Sequence, residues 1–205
     1  MKRAQSPFYA IIAATAGHEP IDLARMILAG GAEILQLRLK AAASRDFLAT
    51  ARAITPRCHE AGATFIINDR VDIALLSEAD GVHLGQDDLP ISAARRLLGF
   101  ERIIGISTHS LEQALRAQDD GADYIGFGPI FPGGLKQTRV GQGLERLREV
   151  RAAVSIPIVA IGGITEASLP EVIAAGADLA ALITDILTAP DITAKVSGIT
   201  SRRFG

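Results

Sequence analysis

The sequence predicts a single-domain (β/α)8 TIM barrel, and three observations carry that prediction. Short apolar runs alternate with segments of helical periodicity along the chain, which is the pattern of parallel α/β proteins. Eight such pairs fit into 205 residues, the size of a compact barrel. Gly-Ala-Asp turns recur before strands, at 121–123 and 176–178. A doubly wound open sheet is the alternative, but no GxGxxG follows the first strand, which counts against a dinucleotide site.

The elements follow in chain order. Strands are predicted for the apolar runs at 8–14, 34–39, 64–68, 81–85, 102–107, 123–128, 157–162 and 178–184. Helical spacing predicts helices at 21–29, 44–62, 71–79, 91–98, 111–119, 144–154 and 166–175, with a weak last helix in the tail. Ser44 and Ser110 are expected as N-caps, and Pro56 is expected to kink or interrupt its helix. No linker divides the chain, so one domain covering residues 1–205 is expected.

Composition narrows the classes of protein. The net charge of −2 favours neither nucleic acid nor an acidic surface as partner. The single cysteine, Cys58, excludes an internal disulfide and fits a reducing cytoplasm, and we expect it to be a buried structural thiol. No apolar run is long enough to span a bilayer. The apolar N-terminal run is interpreted as the first strand of the barrel rather than as a signal peptide.

Polar side chains follow the carboxyl ends of the predicted strands. In a parallel barrel these ends meet at one mouth, where ligands bind. Asn68 and Asp69 follow the third strand, and Asp88 follows the fourth. From the residues alone, two interpretations stay open. The two aspartates are hard oxygen ligands suited to Mg²⁺ and a phosphorylated substrate, or Asn68 and Asp69 cap the next helix.

Cations and glycines at other strand ends indicate phosphate binding. Arg38, Lys40 and Lys136 can neutralise phosphate oxygens. The Gly162-Gly163 pair lies between a strand and a predicted helix start, which suggests a cup of backbone N–H groups completed by 183–184. A plain sharp turn is the alternative interpretation of the glycine pair.

The four histidines differ in their predicted roles. His18 and His59 lie on a turn and a helix and are expected at the surface. His83 lies within a strand, so it is either a hydrogen-bonded core histidine or a ligand-facing one, the latter being favoured. His109 follows Ser107 at the end of the fifth strand, where a rim residue is more often functional.

Six ordered motifs resemble those of thiamine-phosphate synthases, in the superfamily that also holds the thiazole tautomerase. They are QLRLK at 36–40, INDR at 67–70, GVHLGQDD at 81–88, GISTH at 105–109, DYIGFGPIFP at 123–132 and AIGGI at 160–164. The resemblance implies a TIM-barrel transferase of thiamine biosynthesis. Such an enzyme joins hydroxymethylpyrimidine diphosphate to hydroxyethylthiazole phosphate with Mg²⁺ and releases pyrophosphate. The expected partners are therefore small phosphorylated molecules, and a homodimer is compatible with the sequence.

The resemblance also implies a role for each matching residue. Arg38, Lys40, Asn68 and Lys136 would bind the diphosphate, Asp69 and Asp88 would hold Mg²⁺, Gln36 and His83 would contact the pyrimidine, Ser107 would lie near the reacting end, and Gly163, Ile183 and Thr184 would contact the thiazole phosphate. Within this set, Arg38, Ser107 and Lys136 would take part in catalysis by stabilising the leaving group and positioning the reacting end.

Three departures from the family pattern leave alternatives open. The usual Thr-x-Thr-Lys run is Gly-Gly-Leu-Lys at 133–136, and the first strand ends in alanines instead of an acidic residue. Asp185 follows Thr184, and we expect it to point away from the phosphate or to cap the next helix. One alternative function is the tautomerase, a metal-independent isomerase that would use a proton-transfer group such as His109. The other is a non-catalytic phosphate-binding barrel.

Overall fold

Eight parallel strands close into a barrel in the computed structural model, which describes residues 5–13, 17–133 and 140–202. The strands are β1 Phe8–Ala13, β2 Ile34–Arg38, β3 Thr64–Asn68, β4 Gly81–Leu84, β5 Ile103–Thr108, β6 Tyr124–Phe127, β7 Ile158–Ile161 and β8 Leu179–Leu182. Each strand pairs with the next, and β8 closes the barrel against β1 with Tyr9 opposite Ala181. The predicted barrel is confirmed, and the open-sheet alternative is wrong.

Helices follow the strands and cover the outside of the barrel. They are α1 Pro20–Ala29, α2 Ser44–Glu60, α3 Val71–Leu76, α4 Ile91–Leu98, α5 Leu111–Asp119, α6 Gly143–Ala153, α7 Leu169–Ala174, α8 Thr184–Leu187 and α9 Ile192–Thr200. None of these helices combines the length and apolarity that crossing a membrane requires. The assignment of residues 1–205 to one domain stays a prediction.

Of three local predictions about helices, two need correction and one is confirmed. Helix α2 runs through Pro56 without a break. Proline has no N–H, so the carbonyl one turn before Pro56 lacks its helical hydrogen bond. Water can solvate that carbonyl because Pro56 lies on the exposed face of the helix. Ser44 is the first residue of α2 rather than its N-cap, and Ala43 takes the cap position without a side-chain bond. Ser110 does cap α5, since its hydroxyl accepts the Gln113 N–H at 3.2 Å.

The boundaries around the last two strands also differ from the prediction. The helix predicted to begin at residue 166 begins at Leu169, and the strand predicted to reach residue 184 ends at Leu182. Thr184 instead begins α8, and a separate helix, α9, follows it. The tail therefore holds two helices where one weak helix was predicted.

Two apolar layers form the core. The larger fills the space between the strands and the helices and includes Cys58 on α2, whose thiol is buried as predicted. Burial raises the pKa of that thiol to about 12. The smaller layer fills the inside of the barrel, and its buried members are Tyr9, Ile11, Ile34, Ile66, Tyr124, Val159, Leu179 and Ala181. Both tyrosines of the chain thus lie inside the barrel.

The amino-terminal end of the barrel is closed by a repeated carboxylate contact. Asp80, Asp123 and Asp178 precede β4, β6 and β8, and each accepts a backbone N–H from a neighbouring strand at 2.7 to 2.8 Å. Arg95 pairs with Asp123, and Arg151 with Asp178. The aspartates of the two Gly-Ala-Asp turns, and Asp80 with them, therefore have a structural role at this end of the barrel.

Candidate active site

One cavity of about 830 Å³ opens at the carboxyl ends of the strands. It brings together all of the predicted site residues that the structure describes, namely Gln36, Arg38, Lys40, Asn68, Asp69, His83, Asp88, Ser107, Gly163, Ile183 and Thr184. Lys136, and with it the altered segment 134–136, lies outside the described residues. Convergence of side chains from across the sequence follows from the parallel strand direction, which points every strand end to the same mouth.

Asp69 is held in an unusual backbone conformation at the rim of this cavity. Its φ of 65° is left-handed, and the Arg70 N–H donates back to the Asn68 carbonyl at 2.8 Å around it. The Asp69 N–H is tied to the His83 carbonyl on the neighbouring strand at 2.8 Å. A non-glycine residue pays roughly 1–3 kcal/mol for such a conformation, and strain of this kind clusters at functional sites.

The helix-cap interpretation of Asn68 and Asp69 is wrong. The residue in the N-cap position of α3 is Arg70, and no side chain caps that helix end. The Asp69 carboxylate instead pairs with Lys40 at 3.1 Å. With the two side chains 55% and 24% exposed, this ion pair is worth at most about 1 kcal/mol, so ligand charges can replace either partner at little cost.

The donor set at this rim fits Mg²⁺. Asp88 accepts the Gly85 N–H at 2.7 Å through one oxygen and lines the same cavity as Asp69. Within the described ranges, no three His, Cys, Asp or Glu side chains group closely enough to hold a metal ion by themselves. Mg²⁺ typically takes one or two carboxylates and completes its shell with water and substrate phosphates. Asp69 and Asp88 are therefore suited to a Mg²⁺ ion that arrives with a phosphorylated ligand.

Arg38 and Asn68 present unused polar groups to the cavity. Neither side chain forms a hydrogen bond or ion pair with another residue that the structure describes. Both line the same cavity as Lys40 and Asp69, which form an ion pair with each other. Because these guanidinium, ammonium and amide groups have no strong partner within the described residues, they can donate hydrogen bonds to phosphate oxygens.

The Gly162-Gly163 pair makes a tight turn against the loop that follows β6. Both residues have positive φ, at 97° and 66°. A Cβ on Gly163 would lie 2.7 Å from the Pro132 carbonyl oxygen and 2.8 Å from Phe131 Cβ. The Gly163 N–H forms no hydrogen bond with another described residue, so it is available to an anion in the cavity.

Asp185 turns its charge toward a lysine. One of its oxygens accepts the Glu166 N–H at 2.9 Å and lies 3.2 Å from Lys195 Nζ, while Lys195 also contacts the Glu166 carboxylate at 2.7 Å. The pKa of Lys195 is raised, mostly by its hydrogen bond with Glu166 and less by its hydrogen bond with Asp185. Asp185 caps neither α8 nor α9, whose cap positions are Ile183 and Asp191. Its carboxylate instead links the start of α8 to the loop that follows β7, and Lys195 neutralises its charge.

A chain of hydrogen bonds crosses the inside of the barrel. Gln36 Nε2 donates to the Tyr9 hydroxyl at 2.9 Å, and the two tyrosine hydroxyls lie 2.8 Å apart. His83 Nδ1 lies 2.9 Å from the Tyr124 hydroxyl, and Nε2 lies 2.9 Å from Ser107 Oγ. His83 is thus both a satisfied interior histidine and a cavity-lining one. Burial lowers its pKa to about 4, against a smaller opposite effect of Asp88.

Two glycines make room for the rings in this chain. A Cβ on Gly105 would lie 2.1 Å from Tyr124 Cζ, and a Cβ on Gly126 would lie 3.0 Å from His83 Cε1. Glycine at these positions of β5 and β6 therefore leaves room for the tyrosine and imidazole rings. His109, on the rim, is held by a separate bond from its ring Nδ1 to the Gly128 carbonyl at 2.6 Å.

Sequence reasoning missed three residues of this site. Tyr9 and Tyr124 fall within the first and sixth predicted strands, and the sequence alone assigned no role to either. Their signal was available in the strand period, because Tyr9 and Ile11 fall on one face of β1 and that face points inward. Lys195 carried no signal, because it reaches Asp185 from a helix that begins after the last strand.

The geometry can be compared with known proteins. A family model described as "Thiamine monophosphate synthase" matches residues 8–186. The chain belongs to the thiamine monophosphate synthase family. The match covers all eight strands and all six of the motifs that resemble the family.

Relatives of high similarity share this assignment. The chain is 52% identical over 174 residues to the thiamine-phosphate synthase of Methanocella arvoryzae, covering 84% of this chain and 82% of that protein. It is 50% identical over 179 residues to that of Moorella thermoacetica, covering 87% and 85%. Among solved structures, the thiamine phosphate pyrophosphorylase of Pyrococcus furiosus superposes with a TM-score of 0.87 at 37% identity, over 95% of this chain and 94% of that one.

Proposed function

We propose that this protein is a thiamine-phosphate synthase, a transferase that joins hydroxymethylpyrimidine diphosphate to hydroxyethylthiazole phosphate and releases pyrophosphate. The observation that carries the proposal is the convergence of Arg38, Lys40, Asn68, Asp69 and Asp88 on one rim of a cavity in a chain of this family. A carboxylate pair beside two cations and an amide is matched to a diphosphate with its metal ion.

The leaving diphosphate belongs at the rim formed by β2, β3 and β4. Arg38 and Asn68 would bind its oxygens directly, and Lys40 would exchange Asp69 for a phosphate oxygen. Asp69 and Asp88 would hold Mg²⁺, which when bound supplies positive charge against the negative charge that grows on the departing group. Lys136 is proposed to complete this set, on the basis of the family motif.

The thiazole phosphate belongs at the opposite rim. Gly163 offers its N–H, and Ile183 and Thr184 lie at the start of α8 beside it. Because Lys195 and a backbone N–H engage Asp185, its carboxylate opposes a phosphate less than a free one would. The pyrimidine then lies between the two rims, over Gln36 and His83, with Ser107 near the reacting carbon.

The residues favour a reaction in which the diphosphate leaves before the new bond forms. The cavity offers cations and hydrogen-bond donors for the leaving group. The one cysteine of the sequence is buried outside this cavity, so no thiol is available there as an attacking nucleophile. Departure of the diphosphate would leave a pyrimidine-methyl cation, and the thiazole nitrogen would capture it.

The decisive experiment supplies both substrates and Mg²⁺ to the purified protein and follows thiamine phosphate and pyrophosphate together. Both products should appear in equal amounts. Asp69→Asn should abolish turnover, whereas Asp87→Asn, a matched change at an exposed neighbouring aspartate, should retain it. Absence of product, with a known synthase active in the same assay, would refute the proposal. Activity of Asp69→Asn as a metal-independent isomerase would favour the tautomerase instead.

The remaining parts of the proposal concern partners and location. Small phosphorylated molecules are the proposed partners, with no nucleic acid, and a homodimer and a cytoplasmic location remain our expectations. Sedimentation at micromolar concentration would test the dimer, because a monomer mass at that concentration contradicts it.

A further inference from the structure

The hydrogen-bond chain inside the barrel has a direction. Tyr9 and Tyr124 are fully buried, and each hydroxyl has a single proton to donate. The Tyr9 oxygen receives the Gln36 N–H, so the Tyr9 proton goes to its other partner, Tyr124. The Tyr124 proton then goes to His83 Nδ1. A neutral imidazole that accepts at Nδ1 carries its proton at Nε2, and it donates that proton to Ser107 Oγ.

The two ends of this chain face the same cavity. Gln36 and Ser107 both line it, one on β2 and the other on β5. No described residue donates to the Gln36 amide oxygen, and none accepts the Ser107 hydroxyl proton. Gln36 therefore offers an acceptor to a ligand, and Ser107 offers a donor. If every bond ran the other way, Gln36 would offer its NH₂ group and Ser107 its oxygen lone pairs.

We propose that Tyr9 and Tyr124 are positioning residues that couple Gln36 to Ser107, so that the cavity selects a ligand with a donor near Gln36 and an acceptor near Ser107. An aromatic heterocycle with an amino group beside a ring nitrogen has this pattern. The inference rests on the proposed function only for the identity of the ligand. The direction of the hydrogen bonds is a property of the protein alone. Tyr9 and Tyr124 also line the cavity, and the positioning role proposed for them is exerted through His83.

The tautomer of His83 tests the direction without substrate. Long-range ¹H–¹⁵N correlation spectra of the labelled full-length protein at pH 8, with His83→Asn used for assignment, distinguish the two ring nitrogens. We expect Nε2 to carry the proton and Nδ1 to be unprotonated. A proton on Nδ1 in the unaltered protein, whether alone or together with one on Nε2, overturns the proposal.

Reversing the chain from its far end gives the stronger test. Gln36→Glu introduces a carboxyl group of the same shape, which accepts and cannot donate once it is ionised; the ¹³C shift of that carboxyl identifies a pH at which it is ionised. Tyr9 must then donate to it, Tyr124 must donate to Tyr9, and His83 Nδ1 must become protonated to donate to Tyr124. An unchanged His83 spectrum in this variant overturns the proposal.

A double variant separates relay from simple electrostatics. In Gln36→Glu combined with Tyr124→Phe, the link to His83 is cut, so Nδ1 should remain unprotonated. If Nδ1 is protonated there as well, the field of the carboxylate acts through space and the relay is refuted. Should these variants fail to fold, the tautomer of the unaltered protein still decides the direction.

Activity provides a further measure. Tyr124→Phe should lower kcat/KM by about tenfold, which is the scale of one lost hydrogen bond. Thr108→Val is the matched control. It removes a buried hydroxyl on β5 that donates to the Gly126 carbonyl and takes no part in the hydrogen bonds between Gln36 and Ser107. It should leave the tautomer and kcat/KM unchanged. An equal loss in both variants would assign the effect to general packing. If no synthase activity exists at all, the spectra still test the relay.

Discussion

Backbone atoms pack closely around Gly163, and we expect a side chain at this position to lower both stability and phosphate binding. Gly163→Ala adds one methyl group to a residue with φ of 66°. Gly62→Ala makes the same change at a φ of 69°, but nothing lies within 4 Å of the added Cβ. The pair therefore shares the cost of the backbone conformation and differs in the contacts of the methyl group.

The expected magnitudes follow from these contacts. The left-handed conformation costs a non-glycine residue roughly 1–2 kcal/mol, which both variants should show. At Gly163 the methyl would meet the Pro132 and Phe131 carbonyl oxygens at 2.7 and 2.9 Å. Backbone atoms cannot rotate away, so overpacking should add about 1–3 kcal/mol. We expect Tm to fall by about 2–4 °C per kcal/mol in a protein of this size.

Function should separate the two variants more clearly than stability does. Relief of the clash moves the Gly163 N–H, and a charge-assisted hydrogen bond of this kind is worth about 1.5–3 kcal/mol. Steady-state assays of Gly163→Ala should show KM for the thiazole phosphate raised by at least about tenfold, with a smaller effect on KM for the diphosphate. Gly62→Ala should retain both constants.

Thermal unfolding and the two-substrate assay together decide the outcome. The reasoning is refuted if Gly163→Ala loses no more stability than Gly62→Ala, because the clash would then be relieved without cost. It is also refuted if both KM values for Gly163→Ala match those of the unaltered protein, because the turn would then contribute nothing to phosphate binding.

Three further predictions concern charge, reactivity and stability. Lys195→Met should raise KM for the thiazole phosphate several-fold, because the Asp185 carboxylate loses its cation. Adding Asp185→Ser should restore the original KM. A double variant as impaired as the single one would contradict this. Cys58 should not react with a thiol reagent at pH 8 in the folded protein, since burial raises its pKa to about 12, and should react fully in denaturant; reaction of the folded protein at the rate of a free thiol would count against it. Asp123→Ala should lower the free energy of unfolding by about 1–3 kcal/mol, because the Ile104 N–H loses its acceptor, with kcat/KM unchanged; urea unfolding and the same assay would check both parts.

The barrel and most of its mouth could be read from the sequence because both depend on local patterns. Strand and helix periods differ, so the order of elements was predictable, and parallel strands put every carboxyl end on the same side. That is why Arg38, Asn68, Asp69 and Asp88 could be assigned to one rim before their contacts were known. Element ends were less predictable, as at Thr184, because a strand and a following helix share apolar residues at their junction.

Tertiary structure decided how these residues are paired. The choice for Asp69 between a helix cap and a ligand site depended on a left-handed turn and on Lys40, which reaches it from another strand end. Likewise, Tyr9 and Tyr124 are 115 positions apart, and only closure of the barrel brings their hydroxyls to 2.8 Å. Local periodicity shows which side of a strand a residue faces. Which partner it meets there depends on the register and closure of the whole barrel, and these arise from contacts between residues distant in sequence.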